Sequence, residues 1–238
     1  MQTIKSLSDI FKLYLTFIAL LVGAIFFLSC NPTQSTDLWP SLDPLPLDPD
    51  IEAQIDEILP KLTLEQKVGQ VIQGDTGSLT PEDVKKYRLG SVLSGGNSAP
   101  GPLPYAETEA WLEMADKYYN ASIDDEGVEI AIPIIWGIDA VHGHANLKGS
   151  IIFPHNIGLG AMNNPDLIEE IASVTAHELT VSGHDWTFAP TLAVPQDLRW
   201  GRSYEGFSEN PDIVKSYGDR IVIGLQGQFG SEDFMGNG

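Results

Sequence analysis

The pentapeptide Asn164-Pro-Asp-Leu-Ile168 recurs as Asn210-Pro-Asp-Ile-Val214, and this recurrence narrows the folds open to the chain. Each copy places Asn where it can cap a helix, Pro in a first turn that has no amide hydrogen bond to lose, and Asp at the positive end of the helix dipole. Behind the caps, Leu167, Ile171 and Val174 in one segment, and Ile213, Tyr217, Ile221 and Leu225 in the other, keep the spacing of a helix that buries one face. Asp185-Trp-Thr-Phe-Ala189, between them, reads as a strand. Strand, loop and helix repeated in series predict parallel strands joined by helical crossovers.

The same alternation runs upstream. Thr63 followed by Gln66 is a capping-box spacing, and Thr80-Pro81-Glu82-Asp83 is a second helix start. Gly90 to Ser94 reads as a short strand. Trp111, Met114, Tyr118 and Ala121 share a face of a helix spanning roughly 106–122, and Ile132 to Trp136 reads as a strand buried on both sides. About four such units can be counted where a closed barrel needs eight. The expected fold class is α/β, the first part of a (β/α)8 TIM-type barrel, incomplete in this chain.

Composition sets the outer limits. At 42% hydrophobic and 19% charged residues the chain can bury a core. Its 33 Asp+Glu against 13 Lys+Arg argue against nucleic acid, because phosphate binding needs clustered cations. Lys5 and Lys12 precede an uncharged run from Leu13 to Ser29, which then meets Cys30. That order makes residues 1–29 an export signal. Phe27-Leu28-Ser29-Cys30 resembles a bacterial lipoprotein signal, whose cysteine becomes the lipidated first residue; a plain signal peptide or an uncleaved anchor is the alternative. The expected membrane contact is a lipid anchor on Cys30, and the expected location is the periplasm or outer membrane of a bacterium. Pro32, Pro40, Pro44, Pro46 and Pro49 give 30–50 the composition of an extended tether, which leaves 51–238 as the folded part.

Asp139 follows the apolar run Ile134-Ile-Trp-Gly137, and Asp197-Leu-Arg-Trp-Gly-Arg-Ser-Tyr-Glu-Gly206 follows the 185–189 strand. In a β/α barrel both would lie on the face that carries chemistry. An acid and two arginines at one rim could bind a polyol, since a carboxylate can accept two hydroxyl protons at once. The competing reading is structural, with Asp139 capping a loop and Arg199 or Arg202 paired with Glu205. Other patterns fail on their own terms. His142-Gly-His144 lacks a third metal ligand. His177-Glu178 has Val181 where a zinc protease needs histidine. Asp75-Thr-Gly77 has neither the apolar flanks nor the second copy of an aspartic-protease dyad. Gly95, Gly96 and Gly101 read as loop-shaping residues, and no G-x-S-x-G elbow is present.

Taken together, several stretches resemble the N-terminal barrel of glycoside hydrolase family 3, in its exo-acting β-glucosidase and glucan glucohydrolase branch. They are Leu64-Glu-Gln-Lys-Val-Gly-Gln70, Gly90-Ser-Val-Leu-Ser-Gly-Gly96, Pro133-Ile-Ile-Trp-Gly-Ile-Asp-Ala-Val-His-Gly143, Ile152-Phe-Pro-His-Asn-Ile-Gly-Leu-Gly160, Phe188-Ala-Pro190 and Arg199-Trp-Gly-Arg-Ser-Tyr-Glu205. Ala145 departs from the pattern, standing where relatives usually carry an asparagine beside Asn146.

The resemblance implies that Asp139 and Arg202 hold hydroxyls of a terminal sugar, that His142 and His144 shape a loop, and that no cofactor or metal is needed. It implies hydrolysis of terminal non-reducing β-D-glucosyl residues from β-linked gluco-oligosaccharides with retention, through a carboxylate nucleophile and a second carboxylate as acid/base. Neither of these is expected within this chain; both should lie beyond Gly238, which makes the isolated fragment inactive. Kept open are a β-xylosidase or β-N-acetylhexosaminidase of the same family, a surface lipoprotein that binds sugar without chemistry, and a structural protein built on a relic barrel.

Overall fold

The computed structural model describes residues 47–96, 98–232 and 234–235. The signal segment, Cys30 and most of the tether lie outside the described residues. The tether ends earlier than its prolines suggested, because the chain is helical from Pro49 in α1 (Pro49–Ile58). Asp48 Oδ1 accepts the N–H groups of Asp50 at 2.9 Å and Ile51 at 3.3 Å, so Asp48 is the cap and Pro49 a first-turn proline.

Residues 53–238 form one compact unit. Its further elements are α2 (Leu64–Gln70), β1 (Gln73–Asp75), α3 (Pro81–Tyr87), β2 (Ser91–Ser94), α4 (Thr108–Ile123), β3 (Ile135–Ile138), α5 (Asn156–Met162), α6 (Pro165–Val181), β4 (Trp186–Thr187) and α7 (Pro211–Gln226). Local chemistry sets the helix starts. Thr63 and Gln66 form a reciprocal capping box, as do Thr80 and Asp83, and Asn164 and Asn210 each accept an amide of the helix they open.

The four strands are parallel and stand in sequence order, β1-β2-β3-β4. This is the first half of a β/α barrel. Val92 pairs with Trp136 and Ser94 with Ile138, and these face the helices. There Val92, Trp136 and Ile138 are buried with Trp111 and Tyr118 of α4 and Val84 of α3. The other face carries Asp75, Leu93, Gly137 and Trp186 in one row. A second core gathers Leu159, Ile168, Ala172, Phe207, Val214, Tyr217 and Ile221 beneath α6 and α7.

Three expectations need correction. The strand read at 132–136 runs from Ile135 to Ile138, since Pro133 has no N–H to give to a ladder. It is not buried on both sides: Ile135 is 51% exposed, because its face looks toward the inside of an open sheet. In α6 the buried stripe is Ile168, Ala172, Thr175, Ala176 and Leu179, one place on from Leu167 and Val174. Close approach of α7 explains that offset, since a Cβ on Gly224 would lie 2.3 Å from Glu169 O and 2.6 Å from Ala172 Cβ. The strand expected over 185–189 keeps only Trp186–Thr187, with a cis Ala189–Pro190 bond following.

Both sheet edges are open among the described residues. Beside β1, Leu64, Val68, Ile72, Leu79 and Tyr87 line a groove of about 530 Å³. Beside β4, Leu179, His184, Trp186, Thr187 and Leu225 line another of about 480 Å³.

Candidate functional site

Asp139 is the first residue past β3, and it is exposed. Its backbone is bracketed from β4: Phe188 N–H donates to Ile138 O at 3.3 Å, and Ala140 N–H donates to Thr187 Oγ1 at 3.0 Å. The loop after it is pinned by buried polar groups. Asn146 Nδ2 donates to Gly96 O at 2.8 Å and to Pro104 O at 2.6 Å. Trp111 Nε1 donates to Asn146 O at 3.1 Å. The positive φ values at Gly96 and Gly143 let the neighbouring loops turn where a side chain would be strained.

The loop after β4 brings Arg202 to the same rim. Arg202 and Glu205 form a two-pronged ion pair, Nε to Oε1 at 2.8 Å and Nη2 to Oε2 at 2.6 Å. The structural reading of that pair is therefore correct, yet the guanidinium side chain remains 67% exposed and open to a ligand while Glu205 is 13% exposed. Arg202's pKa is raised chiefly by its hydrogen bond to Glu205, with Asp139 among the lesser carboxylates and phenols acting on it. In return the Arg202 hydrogen bond holds the Glu205 carboxyl below its usual range, against partial desolvation. Arg199 instead turns back to Asp197, and its side chain is 91% exposed. Of the two arginines, the structure brings one into the charge field of Asp139.

Aromatic rings complete the rim. His142 stacks on His155 with ring centres 4.0 Å apart, and His155 meets Tyr204 edge-on at 4.7 Å. His142 Nδ1 donates to Phe153 O at 2.8 Å, leaving Nε2 available. Burial and the neighbouring His142 push the His155 pKa down. Asn156 Nδ2 donates to Glu205 O at 2.8 Å and so ties the His155 segment to the Arg202 segment. A carboxylate, a guanidinium, two imidazoles and a phenol on one edge form a surface rich in hydroxyl-binding groups.

His144 is not on this rim. It is fully buried, with Nε2 3.0 Å from Ser182 Oγ, and Ser182 Oγ is 3.0 Å from His184 Nδ1. Ser182 Oγ also lies 2.9 Å from the Glu178 and Leu179 carbonyls. A hydroxyl has one proton, so it donates into α6 and accepts from both imidazoles. That leaves His144 Nδ1 and His184 Nε2 as buried acceptors without partners. Burial lowers the pKa of His144 to about 4 and that of His184 to about 3. His177-Glu178 is likewise architectural on the glutamate side, where Glu178 Oε1 accepts Ile151 N–H at 2.9 Å. Asp75 ends β1 and accepts Gly77 N–H at 2.7 Å and Ser98 Oγ–H at 2.8 Å.

Sequence reasoning missed the supporting residues Thr187, Ser182, His184 and Asn156. Thr187, Asn156 and Ser182 act across dozens of positions, and His184 joins them through Ser182, two residues away, each by a side chain that is unremarkable in its own segment. Cys30 lies outside the described residues.

Known proteins share this fold. The family pattern described as "Glycosyl hydrolase family 3 N terminal domain" matches residues 63–236. A crystal structure of an exo-1,3/1,4-beta-glucanase from a Pseudoalteromonas species is similar, with 51% sequence identity, a TM-score of 0.75, and coverage of 80% of this chain and 24% of that one. The lysosomal beta glucosidase of Dictyostelium discoideum is 32% identical over 198 residues, which is 76% of this chain and 23% of the relative. The periplasmic beta-glucosidase of Salmonella typhimurium is 26% identical over 213 residues, 87% of this chain and 25% of the relative. The chain spans about a quarter of the length of these curated relatives.

Proposed function

The chain belongs to glycosyl hydrolase family 3, and from that premise we propose that it forms the sugar-gripping rim of an exo-acting, retaining β-glucosidase. The observation that carries the reading is the nearness of Asp139 and Arg202 on one rim, Asp139 held through its backbone and Arg202 through Glu205, with both side chains exposed. Asp139 accepts two hydroxyl protons of a terminal glucosyl unit, and Arg202 donates to the same unit from the other side. Charge-assisted hydrogen bonds as a class contribute roughly 1.5–3 kcal/mol each. The substrates are β-linked gluco-oligosaccharides, in keeping with the exo-1,3/1,4-beta-glucanase at 51% identity.

The reaction needs one carboxylate to attack the anomeric carbon as the leaving oxygen takes a proton from a second. Water then opens the glycosyl-enzyme, with the second carboxylate as base. Neither Asp139 nor Glu205 fills these roles here, because Asp139 is assigned to hydroxyls and Glu205 is committed to Arg202. It is the family resemblance that puts the reacting pair outside this chain, and on that reading the chain alone is inactive. The mature protein is exported and anchored through Cys30; loss of labelled-palmitate incorporation on Cys30→Ser tests that part.

Calorimetry of the full chain with glucose, laminaribiose and cellobiose tests the site. Saturable binding that Asp139→Ala abolishes is expected, and equal heats from both proteins would refute the assignment. Hydrolysis of a panel of aryl β-glucosides, xylosides and N-acetylglucosaminides by the full-length enzyme tests the sugar preference; faster turnover of a xyloside would overturn the glucosyl reading.

A further inference from the structure

We propose that Thr187 is a positioning residue for Asp139, its hydroxyl setting the height at which the carboxylate leaves the sheet. The inference rests on the sugar-binding reading of Asp139. Strand β4 is two residues long, and side chains do at its ends what backbone groups do elsewhere in the sheet. At the start of β3, Trp136 N–H donates to Asp185 Oδ2 at 2.8 Å while Asp185 N–H donates back to Trp136 O at 2.8 Å. At the end of β3, Phe188 N–H reaches Ile138 O. A parallel ladder continuing from that bond would next pair Ala140 N–H with the Phe188 carbonyl. It pairs with Thr187 Oγ1 instead, at 3.0 Å.

That substitution matters because of what lies between the two bonds. Asp139 sits between Ile138 and Ala140, so both peptide units that flank it are tied to β4, one by a backbone amide and one by the threonine hydroxyl. Ala140 is 2% exposed, so its N–H depends on the threonine hydroxyl as acceptor in the folded chain. The Asp139 side chain is exposed and Arg202 acts on it only as one of several charges, so the place from which it leaves the sheet is set by this backbone. The hydroxyl also lies 3.4 Å from Ala189 N, which ties the start of the Arg202 loop to the same atom. One oxygen thereby links the segments bearing the two sugar-contacting groups.

The test compares Thr187→Val, which keeps the shape and removes the acceptor, with Thr187→Ser, which keeps the acceptor, in the full chain. Amide exchange read residue by residue should quicken at Ala140 by about tenfold in Thr187→Val and stay within about threefold of the parent in Thr187→Ser, with Gly137 unaffected in both. Glucose affinity should fall by about tenfold in the valine variant and recover in the serine variant. Unaltered exchange at Ala140 in Thr187→Val overturns the inference, as does parental affinity in that variant. Should Thr187→Val fail to fold, Thr187→Ala read by the same exchange measurement decides the matter in the same way. An Asp139→Ala chain that binds sugar like the parent, or a parent that binds none, would instead strike the underlying sugar reading and take the inference with it.

Discussion

Gly137 and Trp186 share one position on the inner face of the sheet. They are register partners, and a Cβ on residue 137 would lie 2.4 Å from Trp186 Cε2 and 2.6 Å from Nε1. The glycine is there for the indole, since its own backbone is ordinary strand. In a free strand, alanine would be favoured over glycine by roughly 0.5–1 kcal/mol. Here overpacking, at about 1–3 kcal/mol, outweighs that gain. Gly137→Ala should therefore lower the urea midpoint and shift the Trp186 fluorescence; a variant as stable as the parent would show that the indole can move aside at no cost.

The buried imidazoles give the fold a pH dependence of definite sign. His144 and His184 titrate in the folded chain at about 4 and about 3, below the ordinary 6.5. Protonating either would bury an N–H at His144 Nδ1 or His184 Nε2 that has no acceptor. Below pH 6.5 the unfolded chain therefore binds more protons than the folded one. Stability is full above that pH and falls as the pH drops toward 4. Each histidine contributes a slope of up to about 1.4 kcal/mol per pH unit. Measured between about pH 5.5 and 6.5, where few carboxylates titrate, the slope should shrink by up to about one proton in His184→Asn. That replacement keeps a donor for Ser182 without a group that ionises. A flat parental profile in this window would contradict the buried neutral pair.

What could be read from sequence was what acts locally. The capping box at Thr63, the helix start at Thr80, the Asn-Pro-Asp starts of α6 and α7 and the face of α4 bearing Trp111 and Tyr118 each lie within one segment, and all are present. Strand β1 has three residues, too few for any periodicity, and its Asp75 drew notice only as part of a protease-like tripeptide that proved to be a turn. The α6 stripe was misplaced by one residue because apolarity alone cannot say where Gly224 of α7 will come close. At the site, position after strands pointed to Asp139 and to Arg199 or Arg202 alike, and only the family resemblance singled out Arg202. Thr187 and Asn156 did not, since a hydroxyl or an amide gains its meaning from the backbone group it meets far away in sequence.

Asn146 shows how narrow such meanings are. Its Nδ2 serves two carbonyls, Gly96 O and Pro104 O, in a side chain that is 8% exposed. Asn146→Asp keeps the shape and replaces both donors with oxygen. Two carbonyls then face a carboxylate oxygen at a nearly buried position. A loss of roughly 2–5 kcal/mol is expected at neutral pH, with partial recovery as the pH falls and the new carboxyl can donate once. A thermal melt at neutral and at mildly acidic pH checks it. An Asn146→Asp chain that stays below its parent by the full neutral-pH margin in acid would point to some other source of the loss.

Arg202 and Glu205 allow stability and binding to be separated. The arginine side chain is 67% exposed, so solvent screens its ion pair and little folding stability depends on it. Its value to a sugar is different in kind. Glu205 occupies Nε and Nη2 of the planar guanidinium, which fixes the plane and leaves the remaining N–H groups of an exposed side chain uncommitted to Glu205. A lysine keeps the charge but has no plane to fix, and its ammonium rotates about a flexible stem. Arg202→Lys should then melt close to the parent, while glucose affinity falls by about tenfold. If affinity and melting temperature both stayed at parental values, a positive charge near Asp139 would be all the site requires, and the fork held by Glu205 would have no part in gripping the sugar.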